Sequence, residues 1–261
     1  MEIRTIASGS SGNCLLVSTG GAHILVDAGI SCRRITAALA AFGVPPETLS
    51  GIFITHEHTD HIAGLATLTK KFALPVYTSP GTARQLCCRI AALEDLVRPV
   101  KPGIGLDVGP FGVETFPTSH DAAEPMGFSF THAGRRASVV TDLGFVSDQV
   151  LSGVRGSHLL VCKSNHDVDR LRTGPYPYHL KARILGDKGH LSNEAGAALA
   201  CCCADAGART VLLAHLSAEN NTPAQALRVS ADLLRRSGID PDRDITLAAA
   251  PRSEPSRAYE V

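Results

Sequence analysis

The sequence predicts an α/β (α+β) protein in which two β-sheets pack face to face and helices cover both outer sides, a four-layer αββα sandwich. Strand patterns outnumber helix patterns early in the chain, and the two alternate thereafter. Polar residues that suit metal chemistry recur directly after strands. Sheets and helices that are apolar on one face must bury it against another layer, which favours this arrangement. We expect a single domain over residues 1–250 and a loosely held tail over residues 251–261, where periodicity ends.

Apolar periodicity predicts the individual elements. β-Branched and apolar runs predict strands over residues 2–6, 14–18, 23–27, 51–54, 75–78, 96–100, 103–108, 112–117, 127–131, 137–141, 157–162, 210–214 and 245–248. Helical spacing and capping residues predict helices over residues 31–42, 62–72, from 80, from 193 and over 222–236.

The central motif is His56-Glu57-His58-Thr59-Asp60-His61, which lies between a buried strand and a helix. His56 and His58 would extend together from the strand end, whereas Asp60 and His61 would point from the first helical turn. Imidazole and carboxylate together suit zinc, iron or manganese. Hydrolytic sites with two metals hold the ions roughly 3.5–4 Å apart. The motif therefore predicts a metal site that could hold two ions.

Further donors follow other predicted strands. His120 comes just after residues 112–117, and Asp142 and His215 also stand at strand ends. Asp142 is suited to bridge two ions, because a carboxylate has two oxygens to offer. Asp27 ends another strand, and a carboxylate commonly stands behind a metal-ligand histidine. We therefore expect Asp27 to orient a ligand rather than to bind metal.

A glycine- and serine-rich turn over residues 7–13 joins the first two strands. Such a turn is either a hairpin connection or a set of backbone N–H groups offered to an anion. Ser10 and Asn13 are therefore candidate substrate-binding residues. Residues 168–189 carry five Lys/Arg, two Asp and two Tyr. This composition suits a surface that follows a nucleic-acid backbone, and solvated helix surface explains it almost as well.

Charge and cysteine content limit the function classes. Lys and Arg total 25 and Asp and Glu total 25, so a nucleic-acid site must rest on a local surface. Several of the eight cysteines are adjacent, which is poor disulfide geometry and favours a reduced cytoplasm. We expect no signal segment and no membrane span. The sequence does not indicate how many copies of the chain associate.

The His-x-His-x-Asp-His string between strand and helix resembles the metallo-β-lactamase superfamily, and the resemblance covers essentially the whole chain. It implies the metallo-β-lactamase fold and two divalent ions, Zn²⁺ or Mn²⁺. One ion would be held by His56, His58 and His120. The other would be held by Asp60, His61 and His215, with Asp142 as the bridge.

Five strings in order narrow the resemblance to the bacterial YycJ/WalJ-like proteins. They are Gly9-Ser10-Ser11-Gly12-Asn13, Ser119-His120-Asp121, Ser164-Asn165-His166-Asp167, Gly189-His190-Leu191-Ser192-Asn193 and His215-Leu216-Ser217-x-Glu219-Asn220-Asn221. The resemblance implies a dinuclear metal-dependent phosphodiesterase, a nuclease like the DNA exonucleases, with DNA or RNA as substrate. Asp60 would also accept the proton of the attacking water. His190 is the candidate general acid, because histidine loops of ribonuclease Z-like enzymes relay a proton to the leaving oxygen.

Asn165 and His166 in these strings, and Lys163 directly before one of them, are candidate substrate-binding residues. The family usually has Glu at the position of Lys163. Lys163 would either meet a phosphate or be a solvated lysine at a strand end. Two other functions remain open: hydrolysis of a small thioester or lactone, and a regulatory protein that retains the metal site without catalysis.

Overall fold

The computed structural model describes residues 1–261. Its strands are β1 (Glu2–Ala7), β2 (Cys14–Thr19), β3 (Ala22–Val26), β4 (Leu49–Phe53), β5 (Val76–Thr78), β6 (Val97–Pro99), β7 (Gly105–Val108), β8 (Phe111–Pro117), β9 (Met126–His132), β10 (Arg135–Val140), β11 (Leu159–Lys163), β12 (Thr210–Ala214), β13 (Thr246–Ala249) and β14 (Tyr259–Glu260). Its α-helices are α1 (Cys32–Ala41), α2 (Thr59–Ile62), α3 (Leu65–Phe72), α4 (Pro80–Arg89), α5 (Asp148–Val154), α6 (Val168–Thr173), α7 (Tyr178–Leu185), α8 (Asn193–Asp205) and α9 (Pro223–Arg236).

The strands form two sheets of seven, ordered β14-β1-β2-β3-β4-β5-β6 and β13-β12-β11-β10-β9-β8-β7. Strands β3 to β6 are parallel to one another, and so are β10 to β13. The remaining neighbours are antiparallel. Because parallel strands end at the same edge of a sheet, the loops that follow them meet there.

The two sheets bury a shared apolar layer. Phe53 of β4 contacts Phe128 and Phe130 of β9, with ring centroids 5.2 and 5.5 Å apart in edge-to-face arrangements. All three side chains are fully buried. Aromatic pairs of this geometry stabilise a core beyond their area alone. The layer therefore joins both sheets into one sandwich.

Two further apolar layers lie between the sheets and the helices. Helices α1, α3 and α4 pack on the first sheet through residues such as Leu39, Leu68 and Leu86. Helices α5, α8 and α9 pack on the second sheet through residues such as Leu199 and Leu234. The observed order of layers confirms the predicted αββα sandwich. None of the helices combines the length and the apolar character that a membrane crossing requires.

The C-terminal segment corrects the expectation of a loosely held tail. Strand β14 pairs with β1, and the backbone N–H of Thr5 donates to Ser256 Oγ at 3.0 Å. An edge strand such as β1 has unpaired backbone groups that a further strand can satisfy. Helix α5, which the sequence did not predict, is short and packs through Val150 and Val154. The mixed segment over residues 168–189 forms α6 and α7.

Candidate metal centre

Loops at one edge of the sandwich bring all seven predicted metal ligands together. These loops follow β4, β8, β10 and β12, and the first of them runs into α2. The residues that the loops and α2 carry are His56, His58, Asp60, His61, His120, Asp142 and His215. Their donor atoms form overlapping groups whose members lie within 4.8 Å of one another. We call His56, His58 and His120 the three-histidine group, and Asp60, His61 and His215 the carboxylate group.

Contacts behind the rings hold two members of the three-histidine group, His56 and His120, whereas His58 contacts His56 directly. His56 Nε2 lies 3.0 Å from His58 Nδ1, and His56 Nδ1 lies 3.0 Å from Thr55 Oγ1. His120 Nδ1 donates to the carbonyl oxygen of Gly189 at 3.1 Å, so its Nε2 faces the site. Fixing one ring nitrogen in this way leaves the other with a lone pair for a metal ion.

In the carboxylate group, Asp60 Oδ2 lies 3.4 Å from Nε2 of both His61 and His215. His61 Nδ1 lies 2.7 Å from Asp27 Oδ2, and Asp27 also accepts hydrogen bonds from the backbone and side chain of Thr55. Asp27 thus stands behind His61 and directs its Nε2 into the site.

Asp142 lies between the two groups and is buried. Its Oδ2 is 3.1 Å from His61 Nε2 and 3.5 Å from His215 Nε2, whereas its Oδ1 is 3.7 Å from His120 Nε2. Each oxygen therefore faces a different group. This is the geometry of a carboxylate that can serve two cations.

Two site residues have a left-handed backbone that non-glycine residues rarely adopt: Asp27 has φ 59° and His215 has φ 55°. The backbone around His215 is held on both sides. Its N–H donates to Ser8 Oγ at 2.9 Å, and its carbonyl accepts from Asn165 Nδ2 at 2.9 Å. Such strain persists only where the surroundings enforce it, and it is common at functional sites.

The site sets protonation states that suit metal binding. Burial alone would raise the pKa of Asp60, but hydrogen bonds with His215 and His61 hold it well below its usual value. Burial lowers the pKa of His120 to about 4. Burial would also lower the pKa of His61, but the charge of Asp27 helps to raise it well above its usual value. Asp60 is thus ionised and His120 neutral, as ligands must be, while His61 carries a proton that a metal ion would displace.

Two of the predicted substrate-binding residues support the metal residues. Asn13 is buried, and its Nδ2 lies 3.3 Å from Asp60 Oδ2 and 3.1 Å from His61 Nε2. Asn165 is buried against His215. Asn13 Oδ1 also accepts from the N–H of Gly9, so this amide is fully engaged and cannot reach a substrate, which corrects the prediction for Asn13. Asn165 Nδ2 is engaged by His215, and a substrate contact of Asn165 stays a prediction. Ser10 is exposed at the tip of the turn, where a substrate can reach it.

Lys163 and His166 also differ from expectation. Lys163 is fully buried, and its Nζ donates to Asp142 Oδ1. It is therefore neither a solvated lysine nor a group open to a phosphate. His166 is 1% exposed, and neither ring nitrogen has a hydrogen-bond partner. In both cases the burial comes from packing that the local sequence does not reveal.

His190 lies beside the seven residues. Its Nδ1 is 3.4 Å from Asp142 Oδ1, and its ring centroid is 5.2 Å from that of His120 and 5.7 Å from that of His215. The side chain is 18% exposed. Burial, followed by the charge of Lys163, lowers the pKa of His190 to about 3. The imidazole is therefore neutral at neutral pH.

A buried polar cluster that the sequence did not predict ties the site loops together. Ser164 Oγ donates to Asn193 Oδ1 at 2.7 Å, and Asn221 Nδ2 donates to the same oxygen at 2.8 Å and to the carbonyl of Ser164 at 2.9 Å. These three residues belong to three of the five YycJ/WalJ-like strings. The polar residues of those strings were the one sequence signal for this cluster. Which of them form hydrogen bonds with each other depends on the fold.

A likeness in fold and a family match define the class of protein. YhfI from Bacillus subtilis, a protein of the metallo-β-lactamase fold, superposes with a TM-score of 0.70, at 18% identity, over 100% of both chains. Residues 22–216 match the family model described as "Beta-lactamase superfamily domain". The chain therefore belongs to this superfamily and has its hydrolase fold.

Two curated relatives show to which branch of the superfamily the chain belongs. The chain is 39% identical over 249 residues to "Exodeoxyribonuclease YycJ" of Bacillus anthracis, covering 92% of this chain and 91% of the relative. It is 37% identical over 219 residues to "Exodeoxyribonuclease WalJ" of Streptococcus pneumoniae, covering 83% of this chain and 81% of the relative. Within the superfamily, the chain belongs to the YycJ/WalJ-like hydrolases.

The residues present fit the divalent metal that this fold implies. The donors are imidazole nitrogens and carboxylate oxygens, the set that zinc and manganese share. Asp142 Oδ2 is buried and makes no well-aligned hydrogen bond, although Nε2 of His61 lies 3.1 Å away. A buried carboxylate oxygen without a partner is costly unless a cation meets it. The site is therefore built for divalent metal.

Proposed function

We propose that this protein is a metal-dependent phosphodiesterase that acts as an exodeoxyribonuclease and uses two divalent ions, Zn²⁺ or Mn²⁺. The observation that carries the proposal is the convergence of seven His and Asp donors, with Asp142 between the two groups. Relatives that are named exodeoxyribonucleases support DNA as the substrate. Structural metal sites are normally saturated with four ligands, so seven donors favour a catalytic centre.

In this proposal the three-histidine group holds one ion, the carboxylate group holds the other, and Asp142 contacts both. When bound, the ions would activate a water molecule near neutral pH and offset the charge that develops on the phosphate.

Asp60 is proposed as the acceptor of the water proton. Its side chain is 26% exposed, whereas the side chains of Asp27 and Asp142 are each 3% exposed. Asp60 is thus the carboxylate of these three that water and substrate can reach. Asn13 Nδ2 donates to Asp60 Oδ2 at 3.3 Å, which fixes the position of the carboxylate.

His190 is proposed as the donor to the leaving oxygen. With Nδ1 held beside Asp142, its Nε2 is the nitrogen left to face a substrate. A bound phosphate anion would raise the low pKa of His190, so that Nε2 takes up a proton from solvent when substrate binds and can pass it to the leaving oxygen.

Helices α6 and α7 are proposed as the face that follows the DNA backbone. Arg183 Nε pairs with Asp121 Oδ2 at 2.6 Å, which connects α7 to the residue next to His120. Tyr178 is 86% exposed at the start of α7 and offers a ring on which a base can stack.

The first test is cleavage of end-labelled oligonucleotides of one sequence, as single-stranded DNA, double-stranded DNA and RNA. We expect metal-dependent shortening of DNA from one end, which His58→Ala strongly reduces. Turnover of a small thioester or lactone without any cleavage of DNA would identify the other kind of hydrolase. Binding of DNA without any turnover would point to the regulatory alternative.

The second test concerns the proposed DNA face. Neutralising Arg172, Lys181 and Arg183 together should weaken oligonucleotide binding and reduce the slope of log affinity against log salt by roughly 0.7–0.9 for each phosphate that the variant no longer neutralises. The matched control neutralises Arg235 and Arg236 at the end of α9 and should leave the slope unchanged. An unchanged slope in the first variant would show that this face is ordinary solvated surface.

A cytoplasmic location is part of the proposal. Adjacent cysteines at positions 87–88 and 201–203 suit a compartment that keeps thiols reduced. Fractionation of cells that express a tagged chain tests this location.

A further inference from the structure

The buried ion pair between Lys163 and Asp142 has no role in the proposed mechanism. Lys163 ends β11 and is 0% exposed, and its Nζ donates to Asp142 Oδ1. Lysine is rarely buried completely unless it is paired. Asp142 is the one acidic side chain within ion-pair distance of Lys163. The pair is therefore a built feature of the centre.

Lys163 contacts one oxygen of Asp142, so it affects the two halves of the centre differently. Asp142 Oδ2 faces the carboxylate group, 3.1 Å from His61 Nε2 and 3.5 Å from His215 Nε2. Asp142 Oδ1, which Lys163 holds, is the oxygen that faces His120 of the three-histidine group. The ammonium thus occupies the carboxylate oxygen that an ion in the three-histidine group would share.

The two groups also differ in charge. The carboxylate group contains Asp60, whereas the three-histidine group has only imidazole donors, and the carboxylate beside His120, that of Asp121, is already paired with Arg183. Charges a few ångströms apart interact strongly in a buried site, because little water screens them. A divalent ion in the three-histidine group would lie close to Lys163 and would have to share Asp142 Oδ1 with it.

We propose that Lys163 makes the two metal positions unequal, so that the ion at the carboxylate group binds tightly and the ion at the three-histidine group binds weakly and exchanges. The inference rests on the two-ion centre of the proposed function. Lys163 sets the strength of the second position by occupying Asp142 Oδ1 and by its charge. It is a positioning residue, because it acts through Asp142.

The test is a Zn²⁺ titration of metal-free protein against a chromogenic chelator, with bound metal counted by elemental analysis. Wild-type protein should bind two ions with dissociation constants at least about tenfold apart. Lys163→Met removes the charge and keeps an unbranched side chain that is one atom shorter. It should tighten the weaker constant by about 10- to 100-fold, the range over which partners of metal ligands change affinity. The tighter constant should change by less than about threefold.

Three further variants complete the design. His58→Ala should abolish the weaker step and so assign it to the three-histidine group. Lys70→Met makes the same chemical change at an exposed position on α3 and should leave both constants unchanged. Because removing Lys163 leaves Asp142 without its partner in the metal-free protein, Lys163→Met risks misfolding. Lys163→Gln keeps a hydrogen-bond donor without the charge and should tighten the weaker constant in the same direction.

The outcomes separate this inference from the proposed function. Equal constants in wild-type protein would overturn it, as would a weaker constant that stays the same or loosens in the Lys163 variants. Unequal constants that depend on Lys163, in a protein that cleaves no DNA, would support the inference and refute the nuclease proposal. Uptake of fewer than two ions at saturation would refute the two-ion centre and the inference with it.

Discussion

Asp27 offers a sharp test of how the centre is held, through the substitution Asp27→Asn. Asp27 is 2% exposed and accepts from Thr55 N at 2.9 Å and from Thr55 Oγ1 at 3.0 Å, while His61 Nδ1 lies 2.7 Å from its Oδ2. Asparagine has the same shape and tolerates the left-handed backbone at this position. It can still accept from Thr55, so we expect the fold to survive.

What changes is the partner of His61. An amide NH₂ in place of Oδ2 would donate toward Nδ1, which favours the tautomer with the proton on Nε2, the nitrogen that faces the site. Loss of such a supporting carboxylate typically weakens metal binding about 10- to 100-fold, or about 1.4–2.7 kcal/mol. The loss should fall on the tighter of the two constants, because His61 belongs to the carboxylate group.

The assay is the chelator competition with Zn²⁺, together with circular dichroism and thermal unfolding to verify the fold. Asp95→Asn is the matched control, because Asp95 is exposed and its side chain makes no ion pair. A folded Asp27→Asn protein with wild-type zinc affinity would refute the supporting role of Asp27.

Three other predictions follow from the structure. Asp60→Asn should reduce DNA cleavage by about two to four orders of magnitude in single-turnover assays; near-normal cleavage by metal-loaded protein would remove Asp60 from the mechanism. Burial lowers the pKa of His166 from 6.5 to about 4, so the unfolded chain binds a proton that the folded chain does not. Metal-free protein should therefore lose stability as the pH falls from about 6.5 to about 4, by about 3 kcal/mol from this residue alone. His166→Asn should flatten the dependence of the melting temperature on pH, and an equally steep dependence would contradict this. Ser256→Ala leaves the buried N–H of Thr5 unpaired and should lower the free energy of unfolding in urea by about 1–3 kcal/mol. The exposed Ser253→Ala should not do so, and equal effects of the two substitutions would contradict the role of Ser256.

The candidate metal ligands could be recognised from the sequence because each has a local signal. A histidine or aspartate directly after an apolar strand needs only the neighbouring residues to be recognised. The sandwich then brings His56, His120, Asp142 and His215 to one edge, because strands that run in the same direction end at the same place. Family resemblance divided these donors between two ions, and the distances between atoms are compatible with that division.

The supporting residues could not be predicted, because their partners are distant in sequence. Asn13 reaches Asp60 across 47 positions, Asn165 reaches His215 across 50, and Lys163 reaches Asp142 across 21. Asn13 and Asn165 belong to polar strings, and Lys163 directly precedes one, and such strings suit a substrate-binding surface equally well. Only burial distinguishes a group that holds a ligand in place from a group that meets a substrate.

The layers of the fold follow from the sequence, because alternation of apolar residues along a strand and their helical spacing along a helix decide which face is buried. Periodicity does not decide which strands become neighbours. Strand β14 lies beside β1 at the other end of the chain, although two residues are too few to show any periodicity. Its place comes from the open backbone groups of an edge strand, and the burial of Lys163 comes likewise from the packing of strands that are distant in sequence. Periodicity is a local property, whereas the choice of partners is a property of the whole folded chain.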